Sequence, residues 1–596
     1  MQTVSQAWKD AHNERLLPEN YLEITVEVAD PESMSDGTAT DNGAASISNT
    51  HNVTGGVYYI PPRYATFELN SWVLDKSLAQ VQDTNPKNTG YIGSALSGED
   101  GVFANPPTLI VNFSKVYDRL IPGVTITWSE EFGEFPVSFK VTAYNGQNVV
   151  SERTITGNRS VATPIEIDIS GYNRIEVAIL EWCLPRRRAR ISEFFPGLQK
   201  LYKKSDIMCY NISTEIFPLS DKLPKYETDF EISNISGEYD PNNPQGMTKY
   251  LMERQALNVK YGMKVGEDVE YIAGGRFYLS EWKSPQNGIT ATFRARDALE
   301  YMRGTYYKGV YSSSGETLYA LAEAVLIDAG LPLLRDGSTP WVIDESLKSV
   351  TTTAPLPIGT HAECLQLIAN AGCCVLTVDR EGRIKIAPTQ SDQTEFRVNS
   401  FNSYKKPELK LSKQLKSVSV DVYSYFGDST SMQLYSGTVS ISGKQKITVE
   451  YTEGARNVKA TVGGGTLVSA QYYSYACVLE ISGSGNVTVT VTGTPLKKSK
   501  SALALVVGND GETESLSNPL VTSSGLAAQI AAYIASVLIN RRTFDLDWRA
   551  DTRIDVGDSI LVDNQYGAET ANITKLKLAY TGAFHATGTA RATPTQ

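Results

Sequence analysis

Apolar residues alternate along this chain with a period of two, and that pattern narrows its folds more than any other feature. Val137, Phe139 and Val141 form one run, Ile165, Ile167 and Ile169 a second, and Ile175, Val177 and Ile179 a third. This spacing puts one face of a strand in a core and the other in water, with short turns such as Asn145-Gly146 between runs. Several such strands in little over a hundred residues predict a β-sandwich or jelly roll across residues 1–195. Inside it, 30–56 is rich in Asp, Ser, Thr and Gly without apolar periodicity and reads as a long loop. A basic connector follows, with Arg186, Arg187, Arg188 and Arg190 and then Lys200, Lys203 and Lys204. Strands resume over 205–300, broken by SGEYDPNNPQG, whose Gly237, Pro241, Asn242, Asn243 and Pro244 force an irregular turn.

Helical spacing is confined to three places. Leu318, Leu321, Ala322, Val325 and Leu326 share a face over 316–329, and Gly330 stops the run. Thr360 with Glu363 three residues on is a capping box that opens 360–371, where Cys364, Leu367, Ile368 and Ala371 are apolar. Leu526, Ile530, Ile534, Val537 and Leu538 predict a helix over 524–540. After the second helix, CVLTVDREGRIKIAP reads as a hairpin turning at Asp379–Gly382. Ser-, Thr-, Gly- and Val-rich residues 426–500, with NVTVTVTGT as the clearest strand, read as a separate β insertion. The expected fold is therefore mainly β. Its parts are an N-terminal β-sandwich (1–195), a first β-domain (196–315) and a small α+β inset (316–410). A second β-domain (411–425 with 501–596) is interrupted by the β insertion (426–500).

Length agrees with several units, since 596 residues at about 150 per domain give roughly four. The chain carries 55 Lys+Arg against 66 Asp+Glu, a net charge of −11. A mildly acidic chain is poorly suited to binding nucleic acid non-specifically, which requires a basic surface that displaces counterions. No run of about 18 apolar residues exists to span a bilayer, and the N-terminus lacks the basic start and apolar stretch of a secretory signal. Assembly in the cytoplasm is the expectation. The six cysteines form no CxxC pair and read as ordinary buried thiols, with adjacent Cys373 and Cys374 on a strand. Tyr outnumbers Phe by 32 to 17, a bias that suits sheets and interfaces.

Catalytic patterns are weak throughout. The four histidines, His12, His51, His361 and His585, are scattered and form no metal-ligand spacing. His361 and Cys364 share the second helix, where Cys364 falls on the apolar face and packing outweighs nucleophilic chemistry. Gly463–Gly465 lacks the Lys-Ser/Thr of a phosphate loop, and Gly557–Ser559 lacks the GxSxG elbow. Asp240, Asn242 and Asn243 offer oxygens, but DPNNP breaks calcium-loop spacing and reads as a turn. Glu130 and Glu131 are the best carboxylate pair for a hydrolase, against a solvated strand end as the plainer reading. Arg186–Arg190 reads as a boundary turn, solvated or salt-bridged within an assembly. No catalytic residue, metal ligand or cofactor is assigned.

Several blocks carry a resemblance. PPRYATFELNSWVLD (61–75), TWSEEFGEFPVSFKVTAYN (127–145) and WCLPRRRARISEF (182–194) resemble the N-terminal part of phage tail-tip proteins from Gram-positive hosts. YETDFEISNISGEYDPNNPQGMTKYLMERQALNVKYG (226–262) and GGRFYLSEWKSPQNGITATFRARDALEYM (274–302) resemble the first β-domain of the baseplate hub family. NPLVTS (518–523), the helix after it and DWRADTRIDVGDSILV (547–562) resemble its second. The motifs are individually loose, and their order carries the specificity. The resemblance implies a virion structural protein, a homotrimer whose two β-barrel-like hub domains per chain make a pseudo-sixfold ring at the tail tip. Its implied partners are the distal tail protein, the tape-measure protein and spike or receptor-binding proteins, with DNA only as passing cargo through an acidic lumen. The N-terminal sandwich resembles a galactose-binding or discoidin-type module that contacts host glycans or baseplate neighbours. A peptidoglycan hydrolase domain, frequent in related proteins, is not expected within this chain. The alternative reading is a carbohydrate-binding adhesin. Candidate assembly-interface residues are Tyr278, Trp282, Trp548, Arg549 and Asp551, with packing inside one subunit the competing reading; Trp128 and Trp182 are the candidate glycan contacts.

Overall fold

Thirteen of the alternating segments pair into a single sheet. The computed structural model describes the chain except residues 17, 44–49, 55–63, 66–79, 82–89, 131, 286–287, 332–333, 335–337, 390–395, 429 and 594–596. The sheet strands in chain order are β1 (Asn20–Ala29), β2 (Gly197–Tyr202), β3 (Ile207–Glu215), β4 (Lys225–Ser233), β5 (Ala256–Val265), β6 (Asp268–Lys283) and β7 (Thr290–Arg296). They continue with β8 (Arg397–Val398), β9 (Glu408–Leu411), β10 (Arg542–Arg549), β11 (Ser559–Asn564), β12 (Gly567–Tyr580) and β13 (Phe584–Ala592). Their spatial order is β2-β1-β5-β6-β7-β4-β3-β12-β13-β10-β9, with β8 and β11 branching from β12. Seven strands thus come from the first half of the chain and six from its end. They join where β3 lies antiparallel to β12, Tyr210 opposite Tyr580, Ile212 opposite Leu578 and Thr214 opposite Leu576. Alternate residues of both halves point into one core that includes Leu22, Ile24, Phe230, Phe293, Trp548, Ile573 and Phe584.

β1 corrects the expected first boundary. Its alternating ITVEVA was read as part of the sandwich, but Ile24 pairs with Val259 and Tyr202, placing β1 inside the large sheet. Period two says that a strand has a buried face and is silent about which sheet receives it. The sandwich itself begins later. A five-stranded sheet (Thr38–Asp41, Thr108–Tyr117, Tyr172–Trp182, Pro136–Asn145, Asn148–Thr156) packs on a three-stranded one built from Ala162–Ile169, Ile121–Thr127 and Glu193–Phe195. Within the predicted loop, Asp30 caps a short helix, Pro31–Asp36, with Pro31 at its first position, and a strand follows. Six residues are too few to show helical periodicity. The block 61–75 lies, apart from Tyr64–Ala65, outside the described residues.

Residues 316–410 hold two helices and a hairpin. Helices Leu318–Asp328 and His361–Ala371 pack over the hairpin Val375–Val378 and Ile384–Ala387, and both arms of the Thr360–Glu363 capping box are made. Gly382 closes the hairpin turn at φ +86°, a conformation that favours glycine. Cys373 and Cys374 are not on a strand: Gly372 and Cys373 end the helix, and Cys373 takes the left-handed φ of +53°.

The second expected β-domain divides. Leu415–Gly427, Glu512–Leu516 and the end of a 31-residue strand, Ala476–Val506, form a separate sheet beneath helix Ser524–Leu538. Val418 and Val420 are drawn there because Ile530 and Ile534 cover them. The long strand also pairs with Met432–Glu450, Ala455–Gly463 and Thr466–Tyr472, so the insertion grows out of this sheet without a linker.

Candidate functional site

The seam between the two halves of the large sheet holds a polar network around a buried charge. Arg380 sits at the tip of the inset's hairpin and reaches into it. Its Nε donates to Asp555 Oδ1 (2.9 Å), Nη1 to the carbonyls of Ala273 (2.9 Å) and Thr552 (2.7 Å), and Nη2 to that of Ile554 (3.0 Å). One guanidinium therefore ties the inset to β6 of the first half and to the β10–β11 loop of the second. Burial is the largest influence and opposes its charge, but Asp555 together with Tyr261 and Tyr210 offsets it and holds the guanidinium's pKa above its usual value. Beside it, the Tyr210 and Tyr261 hydroxyls share a hydrogen bond of 2.9 Å, and Tyr261 meets Phe584 edge-on at 5.0 Å. Tyr210 and Tyr226 are pushed well up by burial, so both phenols stay protonated.

The N-terminal segment is clamped onto the second half. Trp8 of helix Gln6–Asn13 is buried in the shared core, and Gln2 donates its backbone N–H to the Arg553 carbonyl. Here lie three of the expected interface residues, and all point inward. Trp548 is 1% exposed. Arg549 donates to the carbonyls of His12 (2.7 Å) and Glu14 (3.1 Å). Asp551 takes a two-pronged bond from Arg553; burial is the largest influence and works against its ionisation, and the Arg553 bonds together with the neighbouring positive groups keep its pKa low. Tyr278 is buried edge-on to Tyr301 at 4.8 Å, and half-buried Trp282 stands opposite Phe293. As placed, four of the five serve the subunit's own packing, because alternation and aromatic character mark burial without saying against what.

The candidate glycan contacts are corrected for the same reason. Trp128 is fully buried, edge-on to Phe139 at 4.8 Å and 6.4 Å from Trp182, and its Nε1 donates to Thr163 Oγ1 (2.9 Å). Trp182, 1% exposed, donates to Glu134 Oε2 (2.8 Å), which Arg187 also engages. Neither indole offers a face to a sugar. Glu130 lies in an exposed turn, and Glu131 falls outside the described residues. The arginine run is held within the subunit: Arg186 pairs with Glu99, Arg187 with Glu134, Arg188 bonds the Gly93 and Ser94 carbonyls, and Arg190 stacks on Phe132. Burial pushes the Cys364 thiol up to about 12, leaving it protonated near neutrality.

The large sheet has two edges, and they differ. At β2 the sandwich covers the edge, with Thr125 Oγ1 donating to the Gly197 carbonyl at 2.9 Å. At β9 every residue is exposed, and its outer side has no strand partner among the described residues. Phe401 (56%), Tyr404 (61%), Leu409 (42%) and Leu411 (64%) stand out from this stretch, among Lys405, Lys406, Lys410 and Lys413. Such lysines, with Pro407 before the strand, are the usual guards of an open edge. The sequence reading missed this surface although KKPELKLSK carried that signature.

No protein-family model matches the chain, and no curated protein does. Among solved structures it is similar to the 43 kDa tail protein of prophage MuSo2 from Shewanella oneidensis (12% identity, 66% of this chain and 94% of that one, TM-score 0.34). It is similar also to a tail protein from Neisseria meningitidis (10%, 66% and 93%, TM-score 0.37). A third is prophage tail protein gp18 from Listeria monocytogenes (9%, 66% and 91%, TM-score 0.36).

Proposed function

We propose that this chain is a structural subunit of a phage-type tail that forms the hub at its tip, a homotrimer joining the tail tube to the tip and attachment proteins. The observation that carries this reading is the seam. The blocks that resemble the hub family (226–262, 274–302 and 547–562) supply most of β4 to β7, the end of β10 and most of β11. Those strands belong to two modules fused edge to edge through β3 and β12 over one core. A part built this way transmits load through paired backbone and rigid aromatic packing, as an adaptor must, and needs no reacting groups. Its partners are the distal tail protein, the tape-measure protein and spike or receptor-binding proteins, with the sandwich that begins at Thr38 facing baseplate neighbours. Assembly would begin in the host cytoplasm and end in the virion. Light scattering of the purified chain tests the reading. A species near three times 65.2 kDa, about 196 kDa, is expected over a range of concentrations. A monomer that stays monomeric when mixed with the distal tail protein would overturn it.

A further inference from the structure

Under the N-terminal helix lies a cavity of about 190 Å³ whose wall carries one sign of charge. Lys9, His12, Arg397, Arg549 and Arg553 line it together with asparagines and two phenylalanines, and no acidic residue does. Arg553 is matched by Asp551, which also lies 3.8 Å from His12, and Arg397 by Asp563. Arg549 is different. It is 8% exposed and has no carboxylate partner among the described residues. Its two terminal nitrogens are spent on the His12 and Glu14 carbonyls, Phe401 covers its face at 5.3 Å, and its buried Nε has no hydrogen-bond partner. A buried, unmatched cation with an unused donor is costly unless an anion arrives to meet it. Burial also lowers the His12 pKa, so this imidazole stays neutral near pH 7 and leaves Arg549 the charge an anion would meet.

We propose that this cavity is an oxyanion site that takes a carboxylate carried by an acidic segment of a partner chain. The rim argues for a chain over a free ion. Phe401 lines the cavity and stands 56% exposed, and a few residues on, Tyr404, Lys405, Lys406 and the open edge of β9 follow. An extended acidic segment finds there a strand edge with no strand partner among the described residues, aromatic surface and the Lys406 ammonium, with Lys405 already paired to Asp547, before its carboxylate reaches the cavity.

The test is calorimetric titration of the full chain at fixed ionic strength. The probes are a capped hexapeptide with one central Glu, its Gln counterpart, sodium acetate and sodium phosphate. The Glu peptide is expected to bind at least tenfold more tightly than the Gln peptide and than acetate. Arg549→Gln should weaken it at least tenfold and Lys9→Gln, a change on the helix surface that spares the Arg549 clamp, about threefold. Glu and Gln peptides binding alike, or neither binding, would overturn the proposal. So would binding of phosphate alone, acetate matching the Glu peptide, or an affinity unmoved by Lys9→Gln in a folded variant.

Discussion

Asp297 offers a quantitative test of how this fold handles a buried acid. It follows β7 and is 4% exposed; its Oδ1 accepts the Leu299 N–H at 3.0 Å, capping the turn Ala298–Arg303, while Oδ2 has no hydrogen-bond partner. Burial, reinforced by Glu300 and Glu227, pushes the carboxyl up to about 8 from an ordinary value of 3.8. Between those limits the native state holds a proton that the unfolded chain has released. Stability therefore falls as pH rises, by about 1.4 kcal/mol per pH unit from this group alone. Asp297→Asn keeps the capping oxygen and removes the titration. The stability of the wild type relative to the variant should then drop by roughly 3 kcal/mol between pH 5 and 7.5, being highest at the acidic end. Urea unfolding of both proteins at pH 5, 6, 7 and 7.5 gives that difference, in which the other titrating groups cancel. A difference that stays flat with pH, within about 0.5 kcal/mol, would refute the reasoning and mean that the Asp297 carboxyl is ionised in the folded protein.

Three further outcomes follow from the packing. Arg380→Met should cost about 3–5 kcal/mol, because it strips Asp555 and three carbonyls of their donor, and limited proteolysis should then cut first around 552–555. Trp128→Ala should cost about 3–5 kcal/mol by opening a cavity beside Phe139 and Trp182, read as a lowered melting temperature. Thr360→Ala should remove the hydroxyl arm of the capping box, the acceptor of the Glu363 N–H, leave the backbone arm to Glu363 in place, and cost about 1 kcal/mol in chemical denaturation, while the circular dichroism spectrum stays β-dominated.

Local signals in the sequence carried the elements well. Thr360 and Glu363 announced a helix that starts at His361, and the Ile175, Val177, Ile179 alternation marked a strand whose three side chains are all buried. Sheet membership was out of reach. Ile24 and Ile165 share the same alternation, yet one faces the large core and the other the sandwich, and only pairing partners remote in sequence decide which. Residues singled out for function failed similarly. Trp128, Trp182, Tyr278 and Trp548 were chosen as large aromatics, and large aromatics are also what a core most readily takes. The cavity wall that sets buried Arg549 beside exposed Phe401 rests on two segments nearly 150 residues apart. No linear pattern links them.

The seam has a consequence for how the chain is made. Glu215 at the end of β3 is paired with Lys575, 360 residues later, and the Asn20 carbonyl accepts the Tyr580 hydroxyl, 560 residues on. At about 5–20 residues per second, a ribosome needs roughly 20–70 s to travel from β3 to its partner strand. Throughout that interval β3 leaves the ribosome as a bare edge, with Tyr210 and Ile212 uncovered, beside other nascent chains in the same state. Soluble yield should therefore be decided by a race during translation, and holding chaperones that shield β3 until β12 emerges should raise it.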